Sequence, residues 1–143
     1  MEGLQDPASF AFSPDGRLFY GERITGRLVV GKWDAATKLY LSEDNPFYEF
    51  GDPAERHRSS GLRGFTFDPN YGENGFIYAF YMRDIPRHNQ VVTIQVNPSD
   101  EDVEIGGETV LMELPFSSSN SSGSHNGGFF GTDQKLYFTT GDG

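Results

Sequence analysis

Three histidines, 21 acidic side chains and no cysteine are the groups from which this 143-residue chain can build chemistry. Without cysteine there are no disulfides and no thiolate metal sites. Of the histidines, His125 stands out, in Gly123-Ser124-His125-Asn126-Gly127-Gly128. An imidazole titrates near neutral pH and can take or give a proton. The glycines after it permit close backbone approach by a ligand, and they equally fit a bulge or a tight turn. Asp142, in Gly141-Asp142-Gly143, reads on its own as a turn residue. His57 and His88 sit in polar stretches beside Arg56, Arg58 and Arg87, which reads as solvated surface. No two histidines have metal-ligand spacing. The acidic run 97–104 lacks the Asp-x-Asp-x-Asp-Gly order of a calcium loop, so it reads as a solvated turn. Asp15, Asp68 and Asp133 each occupy a Pro- or Gly-flanked turn and read as turn formers.

The elements that must position these groups are strands. Period-two alternation with β-branched and aromatic residues recurs over 28–33, 76–81, 92–96 and 136–139. Val110, Met112 and Leu114 form a further alternating face. Turn signals separate these runs at Pro14-Asp15-Gly16, Thr25-Gly26, residues 70–75 and 97–100, and Gly106-Gly107. Gly 18 and Pro 8 punctuate the chain too often for long helices, and about ten short strands are expected. The chain reads as all-β.

One unit repeats. Phe10–Tyr20 is an apolar strand, a Pro-Asp-Gly turn and a second strand; Phe65–Tyr78 and Phe129–Phe138 repeat that shape. Phe12 to Phe67 is 55 residues and Phe67 to Phe130 is 63. Periods of this size, with about four strands per unit, mark a β-propeller. The repeat phenylalanines read as core. The segments 43–58 and 117–124, the latter with six serines, read as loops on one face. Three repeat starts make two blades and part of a third, so residues 1–143 read as the N-terminal part of a single propeller domain. Its missing partner is either the remaining blades or a second copy.

Charge narrows the partners. Lys+Arg 11 against Asp+Glu 21 gives a net −10, which argues against nucleic acid and membrane surfaces. No apolar run approaches the ~20 residues a membrane helix needs. The opening residues 1–7 have neither a basic nor an apolar leader region, so no signal peptide is expected in the chain as it stands.

Three segments resemble a known family. Gly123–Gly128 followed by 133–143, Ser60-Gly61-Leu62-Arg63-Gly64-Phe65-Thr66-Phe67-Asp68-Pro69, and Phe12–Arg23 with Gly26-Arg27-Leu28 are similar, in order, to the soluble quinoprotein sugar dehydrogenases. In that PQQ-dependent glucose/sorbosone dehydrogenase family the second segment reads Gly-Leu-Leu-Gly-x-x-Phe-x-Pro. The resemblance implies a six-bladed propeller, of which about two to two and a half blades are present. It implies oxidation of a sugar hydroxyl by hydride transfer to pyrroloquinoline quinone (PQQ), with an electron acceptor downstream. It puts the proton-accepting base on His125 and that base's acidic partner on Asp142. Ser59 falls where the family often has an acid or amide near the cofactor, and Ser124 where some members carry Asp. Calcium is implied too, its ligands expected in later blades, and a periplasmic or secreted location. The stretch after His125 is about two residues shorter than the family spacing. The alternatives are a non-catalytic propeller of the hedgehog-interacting type and, behind it, a calcium-dependent lactonase.

Overall fold

The computed structural model describes residues 5–42, 46–51, 61–84, 87–97, 104–115 and 127–139. The described residues form antiparallel sheets and one helical turn. The first sheet runs β1 (Pro7–Phe12), β2 (Leu18–Glu22), β3 (Arg27–Asp34) and β4 (Leu39–Ser42) in chain order, and β5 (Tyr48–Glu49) adds to the start of β3. The second runs β6 (Gly61–Phe67), β7 (Phe76–Asp84), β8 (Arg87–Val96) and β9 (Glu104–Pro115), with α1 (Tyr71–Asn74) between β6 and β7. A third begins with β10 (Gly127–Phe130) and β11 (Leu136–Thr139).

Consecutive four-stranded meanders, each led by a strand that touches the next leader, are propeller blades. β6 lies against β1 on one side and β10 on the other. The three leading strands run the same way. Gly21, opposite Ser9 on β1, meets Leu62 near the start of β6, while Phe19, opposite Ala11, meets Phe67 at its end. Gly64 likewise meets Gly127 at the start of β10, and Tyr78 meets Phe130 at its end.

The core lies between the first two blades. Phe19, Leu28 and Val30 face Leu62, Phe65, Phe67, Ile77 and Ile94 across the gap, with Phe19 at 5.0 Å from Phe67, edge to face. Such contacts add about 0.5–1.5 kcal/mol beyond area burial. Phe50, in the middle of the 43–58 segment, is buried against Tyr81, so part of that segment packs into the core.

The repeated turn is written three times. In the first blade Ser13 N–H donates to Arg17 C=O at 2.9 Å and Gly16 N–H to Ser13 C=O at 2.8 Å. Gly131, Gln134 and Lys135 repeat this at 2.9 Å each. The third residue is left-handed in both, at φ 86° for Gly16 and 61° for Gln134. In the second blade the turn is extended by α1, closed by Gly75 at φ 68°. Asp68 there accepts from the Asn70 N–H at 2.8 Å, from Asn74 Nδ2 at 2.9 Å and from the Tyr78 hydroxyl at 3.3 Å. Asp15, Asp68 and Asp133 thus act as turn formers, as their sequence context suggests.

These turns carry a pH dependence. Burial pulls the Asp15 carboxyl up, but Ser13 and the Arg17 guanidinium outweigh it and hold it below 3.8. The Lys135 N–H holds Asp133, and the Ala36 N–H holds Asp34, below the same value. A depressed carboxylate stabilises the fold above its unfolded pKa, and that stabilisation fades as pH falls through the folded value. The thermal midpoint should hold between pH 7 and 5 and fall below pH ~4, as followed by circular dichroism. A flat midpoint down to pH 2 would contradict the turn assignment.

Four expectations need correction. His88 is buried, not solvated: it lies on β8, which is paired on both sides, and its Nε2 is 3.6 Å from a Glu113 carboxylate oxygen. Asn89 and Gln90 are buried for the same reason. Phe12 is 54% exposed and Phe10 74%, because their face of the first sheet points away from the second blade. Gly106 and Gly107 lie inside β9 and not in a turn. Val110 and Met112 are exposed together with Leu111, because β9 is the outermost strand of its sheet and slips register against β8.

Candidate functional site

The four nominated residues, Ser59, Ser124, His125 and Asp142, lie outside the described residues, as does His57. What the structure supplies is the frame into which their segments feed. β6 opens at Gly61, two residues after Ser59. β10 opens at Gly127, two residues after His125, and β11 closes at Thr139, three residues before Asp142. Gly127 pairs with Thr139, so the chain enters and leaves this hairpin at one end. Because β6 and β10 run side by side in the same direction, that end is also where β6 begins.

Glycine shapes this rim. Gly64 on β6 faces the Gly127 backbone, and the Phe80 ring packs beside them against Gly128. Gly61 has φ +104°, and a Cβ on it would sit 1.9 Å from the Arg23 carbonyl oxygen. That close approach lets the Leu62 N–H donate to the same oxygen at 3.0 Å, joining the β2–β3 turn of one blade to the first strand of the next.

Charge at this end of the strands comes from Asp6, Glu22, Arg23 and Arg63; Glu22 is buried, and its carboxylate accepts from the Gln5 N–H at 3.1 Å and from the Thr25 hydroxyl at 2.7 Å. An Arg23 Nη2 lies 2.5 Å from an Asp6 carboxylate oxygen, and the Arg23 N–H donates to the Asp6 carbonyl at 3.0 Å. Arg63 is half-buried on β6; burial pushes its guanidinium below its ordinary value, the Arg23 charge adds to that, and Asp6 opposes it. Guanidinium does not give up its proton in this range, so it is not a general base. Sequence reasoning passed over Arg63. The available signal was an arginine in the otherwise uncharged strand Gly61–Phe67. Among the described residues no cluster of three or more His, Asp or Glu could hold a metal ion.

The profile of the glucose/sorbosone dehydrogenase family matches residues 4–143. Quinoprotein glucose dehydrogenase B of Acinetobacter calcoaceticus is 24% identical over 159 residues, covering 99% of this chain. The chain spans 30% of the length of that relative. Among solved structures, an oxidoreductase assigned as a glucose dehydrogenase from Thermus thermophilus superposes with TM-score 0.74 at 26% identity, over 98% of this chain and 38% of that one. The PQQ-bound aldose sugar dehydrogenase of Streptomyces coelicolor does so with TM-score 0.71 at 21% identity, over 98% and 39%. The second is a likeness of fold. The family profile covers all but the first three residues, and the chain belongs to the glucose/sorbosone dehydrogenase family.

Proposed function

We propose that this chain is the N-terminal part of a longer propeller that oxidises a sugar hydroxyl with PQQ. The observation that carries the reading is convergence. β6 and β10 begin and β11 ends at one rim, and these are the described strand ends nearest in sequence to Ser59, His125 and Asp142, in a chain of the sugar dehydrogenase family. PQQ, when bound, supplies the acceptor for the hydride.

The chain's own part is acid–base. Hydride leaves carbon readily only as the adjacent hydroxyl loses its proton, and His125 takes that proton. Asp142 orients the imidazole and stabilises its charged form. By the family resemblance, Ser59 and Ser124 occupy positions that would contact the cofactor. Calcium ligands and further cofactor-binding cations belong to later blades, an electron acceptor reoxidises the cofactor, and the protein works in the periplasm or outside the cell. The test is dye reduction by the full-length protein, with PQQ and Ca²⁺ supplied, across a panel of aldoses. Sugar-dependent reduction is expected; none with any aldose would overturn the reading in favour of a non-catalytic binding propeller.

The ring itself is testable. Phe12, Tyr40 and Trp33 cluster on the face of the first blade turned from the second, with Trp33 55% exposed. At the other end of the array Phe129 stacks on Tyr137 at 5.6 Å, and both are exposed. Apolar faces at both ends of a stack need neighbouring units. The 143-residue chain alone should therefore self-associate in sedimentation. A well-folded monomer at high concentration would count against the partial ring.

A further inference from the structure

We propose that Glu108, on the outermost strand of the second blade, is a positioning residue for the rim: it anchors the strap that braces the first blade against the second, a role that rests on the sugar-oxidation reading. The strap is residues 46–51. Its Phe47 N–H donates to the Leu28 C=O and its Phe50 N–H to the Gly26 C=O, each at 2.8 Å, and β5 within it pairs with the start of β3. Phe47 meets Phe19 edge to face at 5.2 Å, and Tyr48 meets Phe50 at 4.8 Å. The strap is thus built onto the first blade. Its last residue belongs to the second. The Gly51 N–H donates to one Glu108 carboxylate oxygen at 2.7 Å, and the Tyr81 hydroxyl donates to the other at 2.9 Å. Burial and the Glu108 charge push the Tyr81 phenol well above its ordinary value, so it stays a donor.

Glu108 is half-buried, and a carboxylate that loses water needs donors in its place. A valine or threonine would hold β9 as a strand at no such cost. Glu108 instead gives both oxygens to donors 57 and 27 residues away in the chain, on the strap and on β7. Tyr81 also stands opposite Leu62 on β6, whose N–H donates to the Arg23 C=O. The first two blades are therefore joined twice, by backbone at Leu62 and by a side chain at Glu108, with Tyr81 between the joints. The residues between Gly51 and Gly61 include Ser59. Losing the Glu108 joint frees the Gly51 end of that connection and leaves the Leu62 end in place.

The experiment uses the full-length protein and its Glu108→Ala, Glu108→Gln and Tyr78→Phe variants. PQQ binding to the apoprotein, with Ca²⁺ supplied, is measured by equilibrium dialysis. Stability is read as the thermal midpoint, and kcat at saturating PQQ with the aldose that the wild type oxidises best. Coupling through packed elements changes affinity modestly, so Glu108→Ala should weaken PQQ binding about 3- to 10-fold with kcat held. Glu108→Gln keeps an oxygen for the Gly51 N–H and should recover part of that loss. Tyr78→Phe is the control. It removes a hydroxyl bond to Asp68 at the opposite end of β7, and should lower the midpoint at unchanged PQQ affinity. Wild-type affinity in Glu108→Ala, whatever happens to kcat, overturns the proposal and leaves Glu108 as a stitch between blades. Equal weakening in Tyr78→Phe overturns it too, since affinity would then follow stability. Should Glu108→Ala fail to fold, Glu108→Thr, which suits a strand, carries the same readouts. Wild-type protein that binds no PQQ and oxidises no aldose overturns the sugar-oxidation reading along with this one. An active wild type with unchanged Glu108 variants overturns this one alone.

Discussion

His125→Ala in the full-length protein should lose about 10²–10⁴-fold in kcat/KM for sugar oxidation while PQQ binding and the thermal midpoint hold. A positioned base contributes that much because it acts on the hydroxyl proton in the transition state. His125 lies two residues ahead of β10 in the chain. Asp142→Asn should be milder. A carboxylate beside an imidazole raises its pKa, so its removal shifts the acid limb of the pH–rate profile to lower pH. Steady-state dye reduction from pH 5 to 9 reads both effects. Full activity in His125→Ala would mean that the base is another residue.

Gly61→Ala should cost stability instead, on the order of 3 kcal/mol or more, read as a lower urea midpoint with unchanged slope. Two costs add. At φ +104° an alanine is strained, and its Cβ would lie 1.9 Å from the Arg23 carbonyl oxygen. That oxygen is backbone and accepts the Leu62 N–H at 3.0 Å, so relief means breaking the bond that joins the first two blades. Gly72 is the control, since a Cβ there meets nothing within 4 Å. Equal effects at the two glycines would refute the account.

Some of this architecture is legible in the residues, and the rest fails for identifiable reasons. Strand–turn–strand text around Phe12, Phe67 and Phe130 marks the end of a leading strand in all three blades, because a hairpin's turn chemistry is local. Burial is not local. Phe12 and Phe67 occupy equivalent places, yet one is 54% exposed and the other 8%, since only Phe67 has a neighbouring blade on its face. His88-Asn89-Gln90 looks like loop from composition and is a central strand through pairing with β7 and β9. The bulge that carries Arg63 is not legible in the residues, because it exists only in the register of β6 against β7. The nominated site residues themselves lie outside the described residues.

The thrice-written turn also divides folding in time. Ser13 to Arg17 and Gly131 to Lys135 close their hairpins with hydrogen bonds between residues no more than four apart. Hairpins of this kind form in roughly 1–10 μs, each without reference to its neighbours. Contacts between blades are long-range, as between Phe19 and Phe67, and must wait for loop closure. Pulse-labelled hydrogen exchange should find the Gly16 and Gln134 amides protected early and the Leu62 amide, which bridges two blades, protected late.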